Sequence, residues 1–330
     1  MKEKVRWGVI GCARIATTQV IPAMLQAEGA ELKAIASRSL EKAEATAQRF
    51  GIERAYGSYE ALLADPQIEA VYIPLPNHLH KAWSIKALRA GKHVLCEKPI
   101  ALNAREAREM QSVARETGYF LLEAFMYRFS PIVQKILEIV RAGVLGEVRS
   151  IHASFRFLIP DDSKNVRLQA ETGGGSLYDV GCYSINLLRM VAGREPLSVS
   201  AKVSGTEKYG VDLGIVGLLG FGDSLLGTFD AGFDAFRATF CRIMGTKGVL
   251  EAPVGFVGRG NESWLVLTLA DRIERIVLPI IDPYMLEVQD MCAAVRGEHP
   301  PFFGWEPLDA NMRVIDACYA SDKSGGLVEV

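Results

Sequence analysis

The segment Lys92-His-Val-Leu-Cys96-Glu97-Lys98-Pro99 sets a carboxylate, an amine and a proline where a short apolar run stops. Residues 93–97 read as a buried strand. A doubly wound sheet delivers the last side chains of its strands to the crevice at their carboxyl ends, where such sheets bind ligands. An amine there is costly to desolvate without a partner, and Pro99 stiffens the backbone that aims Lys98. A second chemically suggestive segment is Gly173-Gly-Gly-Ser176-Leu-Tyr-Asp179-Val-Gly-Cys-Tyr183-Ser-Ile-Asn186. A helix is expected to start near Ser176, which puts Asp179 and Tyr183, four residues apart, on one face. Ser176 and Asn186 fall on or beside that face. A carboxylate and a phenol aligned beyond a glycine loop suit acid–base chemistry.

A third motif is Gly8-Val-Ile-Gly11-Cys12-Ala13-Arg14-Ile15-Ala16, a G-x-A-x-x-A version of the dinucleotide fingerprint. Gly11 makes the tight turn and Ala16 allows close packing of helix on strand. Ala13 puts a methyl group where the backbone approaches a pyrophosphate, but the N–H groups at the helix start still point at it. The second strand ends at Ser37-Arg38, where an NAD site would carry Asp or Glu for the ribose hydroxyl. Arg38, with Lys42 a turn further on, suits a 2′-phosphate, so NADP is expected, with NAD the less favoured cofactor. In Pro74-Leu75-Pro76-Asn77-His78-Leu-His80 two prolines stop the third strand. Asn77 or His78 can cap the next helix. Pro74, Leu75, Asn77 and His80 are read as a wall of the nicotinamide pocket, a stiff loop being the alternative for His80.

These residues need a scaffold. In the amino-terminal third, strands at Val5–Ile10, 32–37, 70–75 and 93–97 alternate with helices at 15–27, after Ser39 to Gly51, up to Gly91, and from Asn103 to Gly118. Asn103 with Glu106 makes a capping box. That alternation implies a parallel sheet covered on both faces. A helix starts near Pro131, and residues 147–157 alternate as a strand. Strands at about 198–207, 211–220, 224–232, 238–244, 248–252, 262–270 and 272–278 suggest a largely antiparallel open sheet, with helices near 284–296 and 307–321. The expected fold is therefore α/β: a Rossmann domain over 1–122, and an α+β substrate-binding and oligomerisation domain over 123–330. Leu218, Phe221, Leu226, Phe229 and Phe233 lie in the open sheet and some must point away from the domain's own helices, which implies a homodimer or homotetramer.

With 330 residues, 49% hydrophobic and 23% charged, the chain has the profile of a globular protein of two domains. A net charge of −2 with no basic run argues against nucleic acid and anionic membrane as partners. The most apolar stretch, 213–222, is too short for a bilayer, and the amino terminus has no signal core. Six scattered cysteines form no C-x-x-C pair and five histidines have no metal-ligand spacing, so no metal is expected and a reducing, cytoplasmic compartment is.

Together, the turn at 8–16, Glu97-Lys98-Pro99, the Gly173–Tyr183 segment and Pro283-Tyr284-x-x-Glu287 resemble the glucose–fructose oxidoreductase / inositol dehydrogenase / rhizopine-catabolism oxidoreductase (Gfo/Idh/MocA) family over essentially the whole chain. Pro76-Asn-His-Leu-His80 and Tyr183 look most like its dihydrodiol dehydrogenase, D-xylose dehydrogenase and keto-sugar reductase branch. Inositol dehydrogenases carry His at the position matching Tyr183. The resemblance implies NADP-linked hydride transfer to or from a hydroxyl or carbonyl of a neutral sugar or cyclic vicinal diol. Lys98, Asp179 and Tyr183 would be catalytic, with Tyr183 as proton donor and acceptor, Lys98 as its electrostatic partner and Asp179 as orienter; the Lys98 and Tyr183 roles could be exchanged. It implies cofactor contacts from Gly11, Cys12, Ala13, Arg14, Ile15, Ser37, Arg38, Lys42, Pro74, Leu75, Asn77, His80, Glu97, Lys98, Arg128 and Tyr284. Substrate contacts would come from Lys98, Phe157, Asn165, Arg167, Asp179 and Tyr183. A non-catalytic dinucleotide-binding regulator and an NAD-dependent redox glycosidase share the fold and are the two rival functions.

Overall fold

A computed structural model describes residues 3–160, 164–222, 224–253, 255–256, 263–303 and 307–330. The chain forms two compact units, Met1–Met126 with Asp282–Asp309, and Tyr127–Ile281 with Ala310–Val330.

The first unit holds a six-stranded sheet: β1 (Val5–Ile10), β2 (Ala30–Ala36), β3 (Arg54–Tyr56), β4 (Ala70–Ile73), β5 (His93–Glu97) and β6 (Leu121–Ala124). Every pairing is parallel, in the order β3-β2-β1-β4-β5-β6. The strand order reverses between β1 and β4, the switch point at which such sheets open a ligand crevice. All four residues of β4 are buried, as a strand covered on both faces requires. The helices are α1 (Ile21–Gln26), α2 (Leu40–Phe50), α3 (Tyr59–Leu63), α4 (Asn77–Arg89) and α5 (Ala104–Thr117). Ser39 caps α2 by accepting from the Lys42 N–H, and Gly51 closes it in the left-handed conformation. Asn103 caps α5 likewise; Glu106 reaches back to the Leu102 N–H rather than to that of Asn103.

Four features differ from the sequence expectation. The helix expected over 15–27 begins as a π turn, Ala16–Val20, in which the Ile21 N–H reaches back to the Ala16 carbonyl. Pro22, which has no N–H to donate, follows at the start of α1 and favours this widened turn. β3 and α3 were not expected, because three half-buried residues, Arg-Ala-Tyr, carry no periodicity. β6 joins the sheet edge beside β5. The first turn of α4 has Pro76 at its cap and no side-chain cap bond, so neither Asn77 nor His78 caps it.

The second unit contains α6 (Pro131–Arg141), β7 (Val148–Arg156), a second π turn (Leu177–Gly181) leading into α7 (Cys182–Ala192), β8 (Ser198–Ser204) and the short α8 (Thr206–Tyr209). Strands β9 (Gly214–Gly220), β10 (Leu226–Gly232), β11 (Ala238–Gly245), β12 (Gly248–Ala252), β13 (Trp264–Leu269) and β14 (Ile273–Val277) follow. Residue 262 of the strand expected at 262–270 lies outside the described residues. The chain then returns to the first unit as α9 (Pro283–Val295), which packs on α1, before α10 (Ala310–Ser324) and β15 (Val328–Glu329) complete the second. Trp7 Nε1 donates to Cys292 Sγ at 3.2 Å, and Arg296 pairs with Glu69 at 2.8 Å. The single boundary at 122/123 read from sequence does not include this return, since long-range packing leaves no mark in local pattern.

The nine strands form one sheet, β14-β13-β12-β11-β7-β10-β9-β8-β15, antiparallel except where β7 meets β10. α7 and α10 cover one face, over Ile151, Ala153, Ile215, Leu219, Phe229 and Ile243. Phe221 and Phe233 are also buried. The opposite face shows Val216 (57% exposed), Leu218 (38%) and Leu226 (50%), around a polar centre in which Arg156 bonds both Asp230 and Asp234.

Candidate active site

In the first unit the site grows from the ends of β1 and β2. Gly11 leaves β1 with φ of 115°, and a side chain there would press on Leu75 Cδ2 at 3.0 Å. Its N–H donates to the Ala36 carbonyl at 2.9 Å, which holds the turn against β2. Cys12, Ala13 and Ile15 are half-buried and Arg14 is exposed, so the turn backbone faces an accessible space. At the end of β2 the buried Ser37 Oγ accepts from the Ser39 N–H at 3.3 Å, which folds the chain into the start of α2. Arg38 and Lys42 are exposed there, beside the N–H groups and positive dipole end of the helix. Cys12 Sγ approaches the Lys42 carbonyl at 3.9 Å, so the two turns adjoin.

Tyr59 is a residue that sequence reasoning missed. Buried at the start of α3, its hydroxyl interacts with the Arg38 guanidinium and its ring stacks edge-on with Trp83 at 4.8 Å. Burial raises its pKa while Arg38 draws it back. No local signal marks Tyr59, because its short helix follows the unpatterned β3.

Beyond β4, Pro74 and Leu75 are buried in the loop. Of the two readings open for His80, a pocket wall and part of a stiff loop, its hydrogen bonds fit the loop. It is fully buried, with Nδ1 at 2.8 Å from the Pro99 carbonyl and Nε2 at 2.7 Å from the Leu75 carbonyl. Burial pushes its pKa down to about 4, so the ring is neutral at pH 7 and its one N–H serves one carbonyl at a time. It braces the loops after β4 and β5 and has no ring nitrogen left for a cofactor. Glu97, at the end of β5, accepts from the Tyr72 hydroxyl at 2.5 Å. Burial first, then Glu97, pushes that phenol well above its ordinary range, and Tyr284 and Glu287 of α9 add to the effect. Tyr284 is therefore brought to the Glu97 end of the sheet, with Asp282 capping its N–H at 2.9 Å. Lys98 is half-buried directly after β5, and the Lys98–Pro99 peptide is cis.

In the second unit the π turn and α7 carry Asp179 and Tyr183. The Arg167 Nε donates to Asp179 Oδ2 at 2.6 Å. Asn165 caps the short turn that bears Arg167, its Oδ1 accepting from the Arg167 N–H at 3.1 Å. Tyr183 is buried and packs edge-on against Tyr127 and Phe155, with ring centres at 5.4 and 5.7 Å. Phe157 continues this aromatic wall toward Phe233 at 5.3 Å. Arg128, expected among the cofactor contacts, is buried in the second unit, and its Nε donates to Asn186 Oδ1 at 2.9 Å beside the Tyr127 hydroxyl. Leu177, Leu187, Leu188 and Val191 form the buried stripe of the turn and helix. Among the described residues, no group of three His, Cys, Asp or Glu side chains could hold a metal ion.

Comparison with known proteins fits this architecture. Residues 5–125 match the model of an oxidoreductase family with an NAD-binding Rossmann fold, and residues 133–251 match a GFO/IDH/MocA C-terminal domain. The chain is 38% identical over 325 residues to D-xylose 1-dehydrogenase (NADP(+)) 2 of Haloferax volcanii, covering 98% of this chain and 99% of that one. It is 36% identical to the trans-1,2-dihydrobenzene-1,2-diol dehydrogenase of Mus musculus over 78% of each chain. A 3-ketoreductase of Actinomadura kijaniata, solved with NADP and TDP-benzene, superposes with a TM-score of 0.90 at 32% identity, covering 97% of this chain and 98% of that one. With both of its sheets, its glycine turn and its full-length relatives accounted for in this way, the chain belongs to the Gfo/Idh/MocA family of oxidoreductases.

Proposed function

We propose that this protein is an NADP(H)-linked oxidoreductase that interconverts a secondary or anomeric hydroxyl and the matching carbonyl on a neutral sugar or cyclic vicinal diol. The observation that carries the cofactor choice is the end of β2, where Ser37, Arg38 and Lys42 surround the start of α2 and no carboxylate stands at 37 or 38. A guanidinium at a helix N-terminus favours a 2′-phosphate; an unmodified ribose would call for an acidic acceptor. The accessible turn after Gly11 fits a pyrophosphate, and Pro74, Leu75, Glu97 and Tyr284 would flank the nicotinamide end. Bound NADP(H) would supply or take the hydride.

The remaining chemistry falls to the chain's own groups. Tyr183 Oη gives a proton to the carbonyl oxygen in reduction and takes it back in oxidation. Lys98, at the end of β5, would stabilise negative charge as it develops on a substrate oxygen. Asp179, held by Arg167, accepts from a neighbouring substrate hydroxyl and keeps the reacting one aligned. Phe157, Asn165 and Arg167 shape the pocket for one hydroxyl-rich, uncharged molecule. The xylose and dihydrodiol activities named for two of the relatives support this substrate class.

The bare sheet face with Val216, Leu218 and Leu226 supports a homodimer, or a tetramer built from it, paired through that face. The six free thiols support a reducing, cytoplasmic setting, and among the described residues no helix is long and apolar enough to cross a membrane. Initial rates with NADP and NAD against aldoses, inositols, cyclic diols and keto-sugars test the proposal. NADP-linked turnover of a neutral member is expected; a preference for NAD, or activity confined to phosphosugars, would overturn it.

A further inference from the structure

Asp212 lies just before β9, is 3% exposed, and takes no part in the chemistry described above. Three donors converge on its carboxylate. Ser176 Oγ and the Leu177 N–H meet Oδ2 at 2.6 and 2.7 Å, and the Tyr319 hydroxyl of α10 meets Oδ1 at 2.7 Å. The Asp212 carbonyl accepts the Ser176 N–H at 2.9 Å as well. Gly175, with φ of 116°, passes so close to Oδ1 that any side chain there would collide with it. The first residues of the turn that bears Asp179 are thus tied to one buried side chain.

The ties continue toward the reacting groups. The Gly175 N–H donates to the Arg167 carbonyl at 2.9 Å, and the Asp179 N–H donates to the Gly175 carbonyl at 3.1 Å. Arg167 in turn holds the Asp179 carboxylate. The turn is π-helical, a wider and less stable winding than α, so its setting needs support from outside the helix. A carboxylate at its start supplies that support through both N–H acceptance and charge.

We infer that Asp212 is a positioning residue for the reaction, fixing the π turn so that Asp179 and Tyr183 are presented in register. This rests on the reading that those two side chains act on the substrate. Asp212→Asn keeps the shape but puts an N–H₂ group among the donors. It should lower kcat by about 10–100-fold, the penalty of a small misplacement, with KM for NADPH within about twofold because the cofactor residues lie in the first unit. Tyr319→Phe removes one donor, keeps the fold, and should lower kcat by roughly two- to fivefold, a smaller version of the same misplacement. If Asp212→Asn does not fold, Tyr319→Phe carries the test.

Combination with Tyr183→Phe separates this inference from the one beneath it. Little further loss in the double variant supports positioning through Tyr183. A loss from Asp212→Asn while Tyr183→Phe stays near normal would keep the role of Asp212, directed at Asp179, and overturn that of Tyr183. A lower melting temperature with kcat per folded molecule unchanged in both Asp212→Asn and Tyr319→Phe would overturn the positioning role itself.

Discussion

Single side chains carry distinct burdens in this protein. Tyr183 packs edge-on against Tyr127 and Phe155, so loss of its hydroxyl alone leaves that packing in place. Tyr183→Phe should keep the fold and cofactor affinity and lower kcat by about 10²–10⁴, measured in single-turnover and steady-state assays. Arg38→Ala should weaken NADP(H) by roughly 1.5–3 kcal/mol and leave NAD(H) nearly unchanged, which fluorescence titration would read. His80 gives a pH dependence. The folded ring stays neutral down to about pH 4, whereas the unfolded chain protonates near 6.5. The unfolded state therefore binds more protons in that window, so stability is full above about 6.5 and falls as pH drops toward 4. His80→Gln should flatten the urea midpoint between pH 6.5 and 4.5, by at most about 1.4 kcal/mol per pH unit.

At the scale of elements, the motifs with local physical causes were readable in advance. Ser39 and Gly51 bound α2, Asn103 and Gly118 bound α5, and the glycine turn after β1 announced a nucleotide crevice, each through conformations or caps set within four residues. Asn103→Ala should cost about 0.5–2 kcal/mol in thermal denaturation, the value of a lost N-cap. What escaped has no such local cause. β3 and α3, and with them Tyr59, lack a run long enough to show a period. His80 reads as a polar loop residue until Pro99 and Leu75 are seen to converge on it. Asp212 gives no hint in sequence, because its donors come from residues 176, 177 and 319. The π turns escaped too, since a five-residue backbone reach leaves the apolar pattern almost unchanged.

For the molecule as a whole, the proposed association runs through the nine-stranded sheet. Leu218 and Leu226 lie on its bare face, and replacing both with Asp would place charge where a second copy is expected. Sedimentation at micromolar concentration should show an oligomer for the parent protein and a monomer for Leu218→Asp/Leu226→Asp; a monomeric parent would dismiss the pairing. The return of α9 to the first unit has a consequence of another kind, for the order in which the protein can mature on the ribosome. When residue 126 leaves the exit tunnel, all six strands of the parallel sheet exist, but Trp7 still lacks the Cys292 side of its environment and Glu69 lacks Arg296. The nucleotide-binding unit must wait for some 150 further residues, on the order of ten seconds or more of synthesis, before its last helix arrives. A nascent chain stalled in that interval presents an unfinished apolar surface beside α1, which marks it as a client for chaperones rather than as a free-standing dinucleotide-binding fragment.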